Sequence, residues 1–145
     1  EFDLSERVER VVNYLMKRMP TLGEKVELIN DIQPGISIQA NGSLLAWSIE
    51  NIIRNGIDAI EKKDGWVSVS LRKEKDEIKI QIQDNGKGIP KKDWRNVFRP
   101  GFSTKQTGWG LGLSLSSRIV EEIHSGKLQV IESSPENGTV IEIRL

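Results

Sequence analysis

Cysteine is absent from the 145 residues. Disulfides, thiolate metal sites and cysteine nucleophiles are thereby excluded. Histidine occurs once, as His124, so this chain cannot assemble a multi-histidine zinc centre. An excess of either charge is missing too. Lys plus Arg and Asp plus Glu stand equal at 21 each, and the overall balance gives no reason to expect a nucleic acid or an acidic lipid as partner. No apolar run approaches the roughly 18 residues that a membrane span needs, and no signal-peptide pattern is visible, so no membrane contact is expected from this stretch. What is present is the make-up of one globular domain with one core, 37% hydrophobic and 29% charged.

Apolar spacing organises the chain. Asp3 and Glu6 have capping-box spacing ahead of a helical face of Val8, Val11, Val12, Leu15 and Met19, closed by Pro20. EKVELINDI reads as a strand, Pro34-Gly35 as a turn and ISIQA as a short strand. Ser43 is the expected cap of a helix running to Lys63. WVSVSLR and EIKIQIQ alternate as two strands around a polar turn at Lys73 to Asp76. A glycine-rich loop spans 84–112, with a short helix at Asp93 to Val97. A further helix from Leu113 to His124 is expected to bury Leu115, Ile119, Val120 and Ile123, and Gly126 stops it. KLQVIES and TVIEIRL form a closing hairpin around SPENG. Strands paired between helices predict an α+β fold. It is a two-layer sandwich whose mixed, mostly antiparallel sheet is covered on one face by about three helices.

Three segments carry chemistry. On SLLAWSIENIIRNGIDAIEKK the apolar Leu45, Ile49, Ile52, Ile53 and Ile60, with Gly56, face the sheet, while Asn51, Asn55 and Asp58 stack on the other side. That polar stack is either a solvated face or, since an amide oxygen is a hard ligand, a site for Mg²⁺. In DNGKGIP, Asp84 follows Ile78, Ile80 and Ile82 at period two, and so shares their buried face. A carboxylate there needs donors: backbone N–H groups of the next turn, or an exocyclic amine of a ligand. Gly86 and Gly88 permit a tight turn and a close approach. In TGWGLGLSLSSRIVEEI, Gly108, Gly110 and Gly112 precede a helix, either as a plain loop or as a phosphate-facing helix start. Leu113 breaks the dinucleotide fingerprint, and no Walker A loop occurs. Between these segments, Phe98 and Phe102 can pin a loop whose Ser103, Thr104 and Lys105 reach outward.

In order and separation these segments resemble the ATP-binding catalytic domain of sensor histidine kinases, in the superfamily shared with gyrase, Hsp90 and MutL. The N box is ENIIRNGIDAI, the first glycine box DNGKGIP, the F box VFRPGFSTK and the second glycine box GWGLGLSLS, with GTVIEIRL as the closing strand. The resemblance covers nearly the whole of 1–145. It implies a Bergerat-type fold in a single catalytic domain, without the sensor, dimerisation and phosphoacceptor regions.

The resemblance also assigns roles. Asp84 receives the adenine amine, and Gly86 and Gly88 pass near the base. Asn55 ligates Mg²⁺, and Asn51 assists at the phosphates. Lys105 meets the outer phosphates. Gly108, Trp109, Gly110, Leu111 and Gly112 shape the lid and helix start, and Thr139 helps hold adenine. ATP and Mg²⁺ are the implied cofactors. The implied partners are the protein's own dimerisation and histidine-phosphotransfer domain and the receiver domain of a response regulator, in a homodimer. The implied location is cytoplasmic, with anchoring of a longer protein left open. Asn51 stands where gyrase-like ATPases carry a water-activating glutamate, which favours phosphoryl transfer over hydrolysis, although Glu50 is adjacent. Trp109 replaces a usually small residue. His124, at a helix end where positive charge is welcome, is expected to be structural. An anti-sigma-type serine kinase and a nucleotide-binding module without transfer activity stay open as alternatives.

Overall fold

In the computed structural model, the described residues are 2–18, 26–61, 64–102 and 112–145. Strand β1 (Phe2–Asp3) leads into helix α1 (Leu4–Arg18). Asp3 caps that helix: its Oδ1 accepts the Glu6 N–H at 3.0 Å. Val8, Val11, Val12 and Leu15 are buried as their spacing predicts. Strand β2 (Val26–Ile32) follows, and β3 (Ser37–Ile38) returns to pair antiparallel with β1.

Helix α2 (Gly42–Asp58) begins two residues earlier than expected and ends five residues short of Lys63. Its cap is Asn41, whose side chain accepts the Leu44 N–H, and not Ser43. Its early end has a visible cause. The Ala59 carbonyl is taken by the Lys87 N–H at 3.0 Å, so the loop after the first glycine box claims the group that would have continued the helix.

Strands β4 (Gly65–Glu74), β5 (Glu77–Asp84), β6 (Lys127–Ser134) and β7 (Gly138–Arg144) join β2 in a five-stranded sheet ordered β2-β4-β5-β7-β6. The β2–β4 pair is parallel and the other pairs are antiparallel, so the sheet is mixed as predicted. The register shifts between Val130 and Glu132 on β6, which bulges that strand. Period two divides the sheet. Val67, Val69, Leu71, Ile78, Ile80, Ile82, Ile141 and Ile143 enter one core with the apolar faces of α1 and α2. The opposite face carries Ser68, Ser70, Gln81 and Glu142, the last nearly covered and held by Gln81 at 2.7 Å and Arg144 at 3.1 Å.

The loop after β5 makes two 3-10 turns, Lys91–Asp93 and Asn96–Phe98, in place of the single short helix expected. Helix α3 (Gly112–Arg118) continues as a π-helical turn at Ile119–Ile123. That turn corrects the predicted burial. Ile119 and Val120 are buried, but Leu115 and Ile123 are exposed at 41% and 54%, while Ser114 and Ser116 face inward. An i→i+5 turn adds a residue to the helical repeat, so one apolar stripe cannot stay inside along its whole length.

Candidate functional site

Asp84 ends β5, paired with Val67 on β4 and Thr139 on β7. It is 5% exposed, on the isoleucine face as the period requires. Its Oδ1 accepts the Gly86 N–H at 2.8 Å. Burial pushes its carboxyl up from 3.8 to about 6, against the lowering pull of the Gly86 and Thr139 backbone N–H groups. The turn thus supplies donors to this carboxylate, but too few to offset its desolvation.

The surroundings leave little room. A Cβ on Gly86 would lie 2.5 Å from the Ala59 carbonyl oxygen. Gly88 takes φ +80°, and a Cβ there would meet the Ser134 carbonyl at 2.6 Å. Gly138 is pressed against the Asp84 backbone carbonyl. Asn85 fastens the start of β4: its Oδ1 accepts the Trp66 N–H at 2.8 Å and its Nδ2 donates to the Asp64 carbonyl at 3.0 Å. Thr139 is buried, with Oγ1 2.8 Å from the Ser133 hydroxyl oxygen, which in turn accepts the Ile89 N–H at 2.7 Å.

Helix α2 brings the asparagines to this corner. A Cβ on Gly56 would sit 3.5 Å from Asp84 Oδ2, so α2 rests on the carboxylate one residue past Asn55. Asn55 Nδ2 donates to the Asn51 carbonyl at 2.9 Å, which turns its Oδ1 away from that bond. Asn51 Nδ2 reaches Ser116 Oγ at 3.4 Å, and a Cβ on Gly112 would stand 2.7 Å from Asn51 Nδ2. The face of α2 opposite the sheet is therefore roofed by α3, not simply solvated, while Asp58 beyond it is exposed. Contacts thus run from Asp84 to Gly56, from Asn55 to Asn51 and from Asn51 to Gly112, with the two asparagines four residues or about 6 Å apart along the helix.

The donor set suits a magnesium nucleotide. A single amide oxygen is little for a cage, and among the described residues no three His, Cys, Asp or Glu side chains gather as a metal site. Such an arrangement suits an ion that keeps its waters and shares phosphate oxygens. The buried carboxylate offers an acceptor to an amine, and the glycines let the backbone pack closely around it. Phe98 and Phe102 pack part-buried against the core, as expected of loop pins. Ser103, Thr104, Lys105, Gly108, Trp109, Gly110 and Leu111 lie outside the described residues.

The sequence reading missed that α2 meets Asp84 at Gly56, and it missed Asn85, Ser116 and Ser133. Alternating serines in LSLSS were the available signal for Ser116. A hollow of about 310 Å³, lined by Lys73, Asp76, Ile78 and His124, opens at the other end of the sheet. It meets β5 at Ile78, six strand residues or roughly 20 Å from Asp84, and is no part of this corner. Among the described residues no helix is long and apolar enough to cross a membrane.

Comparison with known proteins agrees with this fold. Sporulation kinase C of Bacillus subtilis (strain 168) is 32% identical over 142 residues, covering 92% of this chain and 32% of that protein. The chain spans about a third of the length of sporulation kinases C and B of that organism. The catalytic domain of histidine kinase ThkA superposes with a TM-score of 0.86 at 23% identity, covering 99% of this chain and 92% of that one. The mycobacterial sensor histidine kinase MprB gives a TM-score of 0.83 at 26% identity, covering 99% and 93%. Residues 41–145, from the cap of α2 to the last strand, match the family described as histidine kinase-, DNA gyrase B-, and HSP90-like ATPase, and the chain belongs to that family.

Proposed function

We propose that residues 1–145 act as one catalytic domain that binds Mg²⁺-ATP and serves histidine phosphorylation in two-component signalling. The observation that carries this reading is the corner itself. A buried carboxylate touches the helix that presents Asn55 and Asn51, and that helix is met by a glycine at the start of α3.

Asp84 accepts a hydrogen bond from the adenine amine with the oxygen not engaged by Gly86. The Thr139 and Ser133 hydroxyls border the same pocket and hold the base or a water beside it. Asn55 Oδ1 holds Mg²⁺, and Asn51 orients the phosphate end. Lys105 neutralises the outer phosphates, and Gly108, Trp109, Gly110 and Leu111 cover them, with Gly112 as the helix start. Bound Mg²⁺-ATP supplies the γ-phosphoryl group for transfer to a histidine of a dimerisation domain. This chain contributes positioning and charge neutralisation, the main protein terms in such transfers. Glu50 supports transfer over hydrolysis, because its carboxylate is paired with Arg54 at 3.3 Å and does not stand in the place of Asn51.

A response-regulator receiver domain is the proposed downstream partner and a homodimer the proposed assembly. ThkA has also been solved in complex with the response regulator protein TrrA. The test is calorimetry of the chain with ATP, with and without Mg²⁺. Magnesium-dependent binding that prefers ATP to GTP is expected. No binding at millimolar ATP, or equal affinity for GTP, would refute the assignment.

A further inference from the structure

His124 closes the π-helical turn, and both of its ring nitrogens are engaged. Nδ1 lies 2.8 Å from the Ile119 carbonyl oxygen, which can only accept. Nε2 lies 3.0 Å from the Asn41 backbone nitrogen, which can only donate. The proton must therefore sit on Nδ1 and the lone pair on Nε2. With these two partners the ring is held in a single tautomer, in the structural role expected of it. Ile119 O also receives the His124 backbone N–H at 3.2 Å, so the same residue holds the turn from both its backbone and its ring.

Asn41 is the cap of α2: its side chain accepts the Leu44 N–H and its carbonyl accepts the Leu45 N–H at 3.0 Å. α3 thus runs antiparallel along α2 and is attached near both ends. At one end Gly112 and Ser116 lie on Asn51, and at the other His124 holds Asn41. A methyl group on Gly112 would stand 2.7 Å from the Asn51 amide and would turn that side chain aside, so the contact is close but side-chain in nature. The second attachment, at Asn41, lies ten helical residues or about 15 Å along α2 from the first.

We propose that His124 is a positioning residue: a neutral imidazole, fixed in one tautomer, that ties the end of α3 to the N-cap of α2 and so sets where Gly112 meets Asn51. Its effect on nucleotide rests on the function proposed above. The loss of one such bridge is expected to weaken ATP binding about three- to tenfold, the equivalent of one hydrogen bond.

Two measurements test this on the 145-residue chain. Nitrogen-15 NMR of the ring should show Nε2 as the unprotonated nitrogen; an Nε2–H tautomer would overturn the proposal. Calorimetry should show His124→Ala weakening Mg²⁺-ATP while adenosine, held at the Asp84 end, binds as before. His124→Gln, which restores an acceptor for Asn41, should recover much of the loss. Equal losses for ATP and adenosine, or no loss, would overturn the positioning role while leaving ATP binding intact. A wild-type chain that binds neither ligand would overturn the proposed function, and the nucleotide part of this inference with it, but not the tautomer.

Discussion

Replacing Asp84 by asparagine should stabilise the ligand-free domain, and the gain should depend on pH. Desolvation raises the folded-state carboxyl from 3.8 to about 6. The folded state thus holds that proton more tightly than the unfolded chain does. The resulting stability is fully present below 3.8 and is lost as pH rises through 6. Above 6, keeping the group ionised costs the fold about 3 kcal/mol, at ~1.4 kcal/mol per pH unit. The amide of the variant would carry no charge, and its oxygen still accepts the Gly86 N–H. Its NH₂ group is short of a partner there, which returns roughly 1 kcal/mol. The net expectation is a gain of about 1–3 kcal/mol at pH 7.5, falling toward zero or a small loss at pH 3.5. Urea unfolding of both proteins at a series of pH values measures this, because the difference between them cancels every other titrating group. A variant equally shifted at all pH values, or less stable at pH 7.5 than at pH 3.5 relative to wild type, would refute the account. The same substitution should abolish the preference for ATP over GTP, so stability and recognition move in opposite directions at one residue.

Gly86→Ala should destabilise the domain by about 1–3 kcal/mol in thermal or urea unfolding, because its Cβ meets backbone that cannot rotate away. An unchanged midpoint would mean that the turn after β5 relaxes freely. Asn55→Ala should leave the unfolding midpoint within about 1 kcal/mol of wild type, since its side chain is only part-buried. It should remove the magnesium dependence of ATP binding in calorimetry, and retained dependence would move the cation elsewhere.

Much of the fold is written in local periods. The alternation in β4 and β5 fixed both their existence and the face that Asp84 shares, and the Asp3–Glu6 spacing located a real cap. The corner around Asp84 was legible because strand period, glycine spacing and helix stacking each constrain one of its sides. What stayed illegible depends on distant partners. β1 is two residues long and exists only through its pairing with β3, the short strand expected in ISIQA. Asn41 prevails over Ser43 as a cap in a setting where its N–H also meets a histidine 83 residues away. The π-helical turn has no signature in an apolar pattern that assumes an α repeat, so Ile123 at its end was assigned to the wrong side, as was Leu115 in the α-helical part before it.

The bulge in β6 has a consequence for how the domain behaves among its own copies. β2 and β6 are the open edges of the sheet, where unpaired backbone groups invite strand addition from another chain. On β2 that invitation is met by the exposed charges of Glu27 and Asp31. On β6 an irregular stretch at Ile131, beside Glu132, breaks the regular ladder that an incoming strand would need. Both rims of the sheet therefore discourage edge-to-edge aggregation, and on β6 Glu121 of the π-helical turn adds to this by accepting the Leu128 N–H at 3.2 Å.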